Sequence, residues 1–291
     1  MVKRNEEMFN NCCHLCTTAL KYTLLCYDEK DYSAIWNALV VCLVTSGLKV
    51  YCLCLMSNHI HILLSGTPEQ ISVFFARFKQ KAGRHIKARY GKLTVRELKY
   101  ELFPVKDRRT FCQEVAYILR NPYKANIESP FSYKWSSAAA YFNPFPRKGT
   151  SLSDFTHTDL RTLLKTRAEL PSSLRIADGA ITPASFVDAD FVERMFDHSS
   201  ILFFNMVKTW NLEDAVNLSH GQSVPDAYTD EEVLQGIRQM CQDVFQVHSV
   251  DQLGRKDLAR MTRKLKTRFG CQKTQLLRLL PVDDYLLDQV L

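Results

Sequence analysis

The chain has 291 residues, of which 46% are hydrophobic and 24% charged, and its formal net charge is +7. That length allows one large domain or two to three small ones with a packed core. No run approaches the roughly 18 uninterrupted apolar residues of a membrane span, and Met1–Glu7 is not followed by the apolar stretch of an export signal. A membrane partner is therefore not expected, and the expected location is cytoplasmic. Ten cysteines in a chain without that signal read as buried thiols rather than a disulfide framework. Cys12-Cys13-His14-Leu15-Cys16 resembles half a zinc site, but no second Cys/His pair follows at finger-like spacing.

In chain order, Cys12–Cys26 holds a first strand and turn. Asp31 is placed as the cap of a helix over Tyr32–Ser46, with Ile35, Trp36, Leu39, Val40 and Leu43 at helical spacing and Gly47 as its stop. Leu48–Met56 and His59–Leu64 are two strands of a tight hairpin turning at Ser57-Asn58. Pro68 opens a long helix that runs to Tyr90 and stops at Gly91. Leu102–Val105 is a short strand. Asp107 starts another helix, expected to end near Asn121 because Pro122 disfavours helical geometry in the residue before it. Strand, helix, hairpin, helix, strand, helix predicts an α+β fold: a ferredoxin-like βαββαβ core with an antiparallel sheet over residues 1–145. Residues 146–228 read as a connector, partly helical near His157–Arg167 and Asp188–Phe196, and irregular at Leu170–Ser173 and Ile181–Ser185. From 229 to 291 a helical module is expected, with helices at Asp230–Phe245, Lys256–Phe269, Lys273–Leu280 and Val282–Val290 and a short turn at Val250–Gly254.

Charge is unevenly placed. From Arg77 to Arg109 there are twelve Lys/Arg against three acids, and from Arg255 to Lys273 eight against Asp257 alone. Two basic blocks on a mildly basic chain point to a polyanion, most simply nucleic acid. Solvated helix faces are the plainer alternative for either block taken alone.

Residues two apart on a strand project to the same face, so His59 and His61 point the same way while Ile60 and Ile62 point into a core. Neutral imidazole is a good divalent-metal ligand, and the pair reads as two-thirds of a small metal site. On the helix after Asp107, Gln113, Tyr117 and Asn121 recur every four residues and share a face. A phenol beside a carboxamide, over a sheet bearing two histidines, suits phosphoryl transfer in which a metal polarises the phosphate and the phenolate attacks phosphorus. A free tyrosine has a pKa of about 10, so Arg120, Lys124 or the metal must favour the phenolate. The competing reading makes Tyr117 one of twelve tyrosines, packed at a helix surface.

Three segments carry a family resemblance. Met56-Ser57-Asn58-His59-Ile60-His61-Ile62-Leu63-Leu64 resembles the His-hydrophobic-His (HUH) motif of the single-tyrosine transposases. Val115-Ala116-Tyr117-Ile118-Leu119-Arg120-Asn121-Pro122-Tyr123-Lys124 resembles the nucleophile helix of their REP-associated branch, and Ser132-Tyr133-Lys134-Trp135-Ser136-Ser137 is similar to the Tyr-x-Trp-Ser-Ser segment that follows there. Order and spacing agree over about residues 10–142. The resemblance implies His59, His61 and Asn121 around Mg²⁺ or Mn²⁺, and Tyr117 as the nucleophile on single-stranded or hairpin-forming DNA. It also implies a 5′-phosphotyrosyl intermediate with a free 3′-hydroxyl, which preserves the phosphodiester's free energy for rejoining. Departures are Ser57 where the family usually has proline, Thr18-Ala19-Leu20 where an Arg-Gly turn is usual, and Leu102-Phe103-Pro104-Val105-Lys106 in place of a Gly-Arg-Tyr-Lys stretch.

Arg77, Lys81, Arg84 and Arg89 on the long basic helix are expected to track the DNA backbone, with Arg120 and Lys124 beside the tyrosine. Residues 256–290 resemble a helix-turn-helix of replication-initiator type. Its last helix is acidic at Asp283 and Asp284, so the preceding basic helix, with Arg260, Arg263 and Lys264, is the expected phosphate contact. A protein-interaction module is the alternative there. For the whole chain, the competing functions are a catalytically inactive, sequence-specific DNA-binding regulator and a hydrolase using water without Tyr117. A monomer or homodimer is expected.

Overall fold

A computed structural model describes residues 9–18, 24–91, 95, 98–125, 127–145, 149–208, 230–269, 271 and 273–290. Residues 19–20 of the Thr18-Ala19-Leu20 turn, and 146–148 and 209–228 of the expected connector, lie outside them. Four strands, β1 (Cys12–Thr17), β2 (Lys49–Leu55), β3 (Ile60–Ser65) and β4 (Tyr100–Pro104), form one antiparallel sheet in the order β2-β3-β1-β4. Helix α1 (Glu29–Thr45) joins β1 to β2, α2 (Pro68–Tyr90) joins β3 to β4, and α3 (Arg108–Lys124) follows the sheet. This is the expected ferredoxin-like α+β order.

Caps explain where the helices begin. Thr67 and Gln70 exchange hydrogen bonds in a capping box with Pro68 in the first turn, and Gly91 closes α2 in the left-handed conformation, φ 68°. For α1 the expected cap is corrected: Asp28 accepts from the Asp31 backbone N–H. Asp31 is instead fully buried and receives Tyr90 Oη (2.6 Å), His85 Nε2 (2.7 Å) and the Tyr27 N–H (3.0 Å), with Arg89 Nη1 also against it. These contacts tie α1 to α2.

Strand register assigns the layers. His14 pairs with Phe103 and Thr17 with Tyr100, and the members lie three positions apart on each strand, so the two pairs face opposite sides. Phe75 of α2 packs on Tyr100 with ring centroids 4.6 Å apart, whereas Tyr117 of α3 packs on His14. The sheet therefore lies between α1 and α2 on one side and α3 on the other.

The free edge of β2 is closed by the Tyr133–Ser137 segment. Leu55 N–H donates to Trp135 O (2.9 Å), Ser137 N–H to Leu53 O (2.8 Å), Leu53 N–H to Ser137 Oγ (2.9 Å) and Tyr133 Oη to Leu55 O (2.8 Å). The Tyr-x-Trp-Ser-Ser segment thus supplies the partners an edge strand lacks. Residues 149–208, expected as a connector, instead join the first core. A small sheet of β5 (Thr150–Ser151), β6 (Arg175–Ala177) and β7 (Ala180–Ile181) and helices α4 (His157–Leu164), α5 (Ala189–Met195) and α6 (Ser200–Lys208) pack there. Trp36 Nε1 donates to Ile181 O at 2.8 Å, and Asn37 bonds Gly179 O and the Ile181 N–H.

A second core, with Val233, Ile237, Met261, Leu265, Leu276 and Leu287, holds α7 (Asp230–Asp243), α8 (Arg255–Phe269), α9 (Lys273–Leu279) and α10 (Asp284–Val290). No helix among the described residues is long and apolar enough to cross a membrane.

Candidate active site

His61 stands in β3 and is buried, but His59 precedes the strand and is half-buried. The strand expected from His59 therefore begins one residue later, at Ile60. The two rings still come together, with centroids 4.8 Å apart and planes at 88°. Burial, reinforced by the Arg278 charge and only partly opposed by Asp230 and Asn121, pushes the His59 pKa down to about 4. His59 is thus neutral at neutral pH, the form that ligates metals.

Tyr117 lies on the third wall. Its ring is 5.6 Å from His61 and 5.8 Å from His14, and Lys124 Nζ is 4.5 Å from its centroid. The ammonium over the ring makes a cation–π contact.

Helix α3 does not stop at Asn121 as expected but runs on to Lys124 with Pro122 inside it. Proline has no N–H to give the carbonyl four residues back, here Ile118. Asn121 Nδ2 takes over, donating to Ile118 O at 3.3 Å and to Tyr117 O at 3.0 Å. With its amino group held by the helix, the Asn121 carboxamide oxygen is left for the histidines, and a side-chain hydrogen bond links it to His59.

Two residues that pattern reading missed complete the floor. His14 Nε2 is 2.9 Å from His61 Nδ1, and His14 Nδ1 is 2.8 Å from Glu114 Oε2. The latter pair is buried and close without the alignment of a hydrogen bond. Glu114 could have been found from its place three residues before Tyr117, on the same helical face. His14 was masked by its cysteine-rich strand.

Among the described residues, no three His, Cys, Asp or Glu side chains form a metal-holding group. The set that converges is two imidazoles and a carboxamide oxygen. It fits a divalent cation because His59 is neutral and because Asn121 is turned with its oxygen, the only donor atom of an amide, toward His59.

The basic residues divide. Arg120 is buried in α3 with its guanidinium 5.8 Å from the Tyr123 ring centroid, and Lys124 is at the site. Arg77, Lys81, Arg84 and Arg89 lie on α2, on the far side of the sheet from Tyr117. Arg89 is paired with Asp28 and Asp31, and Lys81 Nζ donates to Lys165 O at 2.6 Å. The structure does not bring these four to the tyrosine. Arg260, Arg263 and Lys264 are exposed on α8.

The fold is an antiparallel βαββαβ sheet with paired histidines under a tyrosine-bearing helix. Residues 9–108, about a third of the chain, match the family model described as Transposase IS200 like. The match contains His14, His59 and His61 and ends nine residues before Tyr117. No curated protein and no solved structure matches the chain.

Proposed function

We propose that the protein is a metal-dependent single-stranded DNA endonuclease and strand transferase acting on hairpin-forming DNA through a 5′-phosphotyrosine. The observation that carries this reading is the placement of Tyr117 against His61, one helical turn before an Asn121 whose oxygen faces His59. His59, His61 and Asn121 would hold Mg²⁺ or Mn²⁺, which supplies charge stabilisation to the scissile phosphate. Two nitrogen ligands favour Mn²⁺ of the two.

The Tyr117 oxygen attacks phosphorus, forming the Tyr–O–P bond as the P–O3′ bond breaks and the 3′-oxygen leaves as a hydroxyl. Lys124 lies over the attacking ring. Attack by a 3′-hydroxyl on the phosphotyrosine reverses the exchange and joins strands without an outside energy source. His14 and Glu114 shape the floor on which His61 sits.

A denaturing gel with hairpin oligonucleotides carrying a single-stranded flank, in Mn²⁺, tests the reading. A covalent protein–DNA adduct is expected in the wild type. It should be lost in Tyr117→Phe and on chelation, with hairpin binding retained in Tyr117→Phe. Hairpin binding by the wild type without any adduct is the result expected of an inactive DNA-binding regulator.

A further inference from the structure

The C-terminal module reaches the histidine pair through one buried carboxylate, that of Asp230 at the start of α7. Asp230 Oδ2 accepts from the Asn58 amide Nδ2 and from Arg278 Nε (3.1 Å), and Oδ1 accepts from Gln275 Nε2 (3.0 Å) and Arg278 Nη2 (2.7 Å). Asn58 stands in the turn between β2 and β3, and its Oδ1 is 2.5 Å from His59 Nδ1. One carboxylate oxygen therefore touches both the Arg278 guanidinium and the amide that meets His59.

The members of this network are not equally accessible. Asn58 and Gln275 are buried, and the Asp230 side chain keeps 3% of its surface, whereas that of Arg278 keeps 23%. The guanidinium is thus the end of the network that a ligand can approach. Charge agrees with position. Donors from three side chains share the Asp230 carboxylate, and among the charges acting on His59 that of Arg278 is the largest, ahead of the opposing Asp230.

A phosphodiester lying across the histidines would meet Lys124 on the Tyr117 side. On the His59 side it would meet Arg278 of α9. The planar fork of a guanidinium suits phosphate oxygens, and the contacts are charge-assisted. Two bonds to Asp230 already fix the Arg278 side chain, so its ordering cost falls on folding rather than on binding.

We propose that Arg278 is a phosphate-binding residue of the active site, supplied by the helical module and aimed by Asp230 at a DNA phosphate beside His59. It lies outside both basic blocks of the sequence, and it makes the module part of the reaction centre rather than a separate DNA-binding surface. The identity of the ligand rests on the function proposed above; the contact with a phosphate is measurable without cleavage.

The experiment measures binding of hairpin oligonucleotides by the full-length protein in a Tyr117→Phe background, where no chemistry intervenes. Phosphates of the single-stranded flank are replaced one at a time by neutral methylphosphonates. Arg278→Gln, whose amide can still donate to Asp230, should weaken binding of the all-phosphate oligonucleotide by about 10-fold. At one flank position the methylphosphonate should itself weaken binding, and Arg278→Gln should then add less than about twofold; at the others the two losses should multiply. Arg278→Lys keeps the charge and should retain part of the affinity, with coupling at the same position. A residue that only holds Asp230 in place would weaken every oligonucleotide alike. Melting temperatures establish that both variants are folded.

The proposal is overturned if the losses multiply at every flank position, or if Arg278→Gln binds the all-phosphate oligonucleotide as tightly as its parent. Coupling at one phosphate in a protein whose wild-type form makes no covalent adduct upholds Arg278 and defeats the phosphotyrosine reading. An adduct in the wild type with losses that multiply throughout does the reverse.

Discussion

Pro122 and Asn121 illustrate how one residue's missing atom sets another's direction. Without Pro122 the Ile118 carbonyl would take a backbone N–H, and Asn121 Nδ2 would lose one of its two anchors. Pro122→Ala restores that N–H, so the helix should gain up to about 3 kcal/mol of intrinsic preference. The carboxamide should meanwhile become freer to turn. The expected outcome is an unchanged or higher melting temperature together with a several-fold weaker Mn²⁺ affinity and slower adduct formation. An equal affinity would show that Asn121 is oriented by something other than the proline gap. At Asp31 the sign is different. Burial alone would raise its pKa, but hydrogen bonds from Tyr90, the Tyr27 N–H, His85 and Arg89 together lower it below the ordinary carboxylate value. A depressed folded pKa contributes stability above the unfolded value of about 3.9 and loses it as pH falls through the folded value. Asp31→Asn should thus destabilise by about 2–3 kcal/mol at neutral pH. That gap from the wild type should close in denaturant melts taken below about pH 4.

Among the elements, the Tyr133–Ser137 segment does the work of a fifth strand without being one. Trp135 is buried between Tyr32, stacked at 5.5 Å, and Trp36, edge-on at 6.0 Å, while its carbonyl accepts from Leu55. Trp135→Ala should cost about 3–5 kcal/mol. Ser137→Ala should cost about 1–3 kcal/mol, because the Leu53 N–H loses its acceptor inside the core. Urea unfolding measures both, and a negligible loss in either would mean that the edge of β2 does not need this cover. Most elements could be read in advance because their signals are local: the β3 alternation around Ile60 and Ile62, Pro68 and Gly91 at the ends of α2, and Asp107 at the start of α3. The failures have one physical character. Pro122 ends a helix only if nothing replaces its missing bond, and here the neighbouring side chain replaces it. Asp31 reads as a cap until Asp28 occupies that role and the partners on α2, over fifty residues away, are known. Likewise His14 meets His61 across 47 residues, and Asn58 meets Asp230 across 172. The two histidines and the tyrosine were therefore legible from short motifs, whereas what stands behind them was visible only through tertiary contact.

At the scale of the whole molecule, the question is which of its positive charges can meet a polyanion. The net charge is +7, but sign totals do not distinguish charges already neutralised from those facing solvent. Arg89 is held by two aspartates, Lys81 is engaged with a backbone carbonyl, and α2 lies on the far side of the sheet from Tyr117. On α8 the situation differs: Met261 and Leu265 turn into the second core, while Arg260, Arg263 and Lys264 are exposed on the same helix. A phosphate backbone binds such a row by displacing counterions, with a log–log salt slope of about 0.7 per phosphate contact on single strands. If α8 provides these contacts, Arg260→Ala and Lys264→Ala together should reduce the slope by about 1.4. They should weaken hairpin binding without regard to sequence and leave the melting temperature nearly unchanged, since neither side chain is part of the core. The paired control is Arg77→Ala and Arg84→Ala on α2, exposed but across the sheet from the tyrosine. It should alter the slope less, and the reverse ranking would place the DNA path over α2 instead.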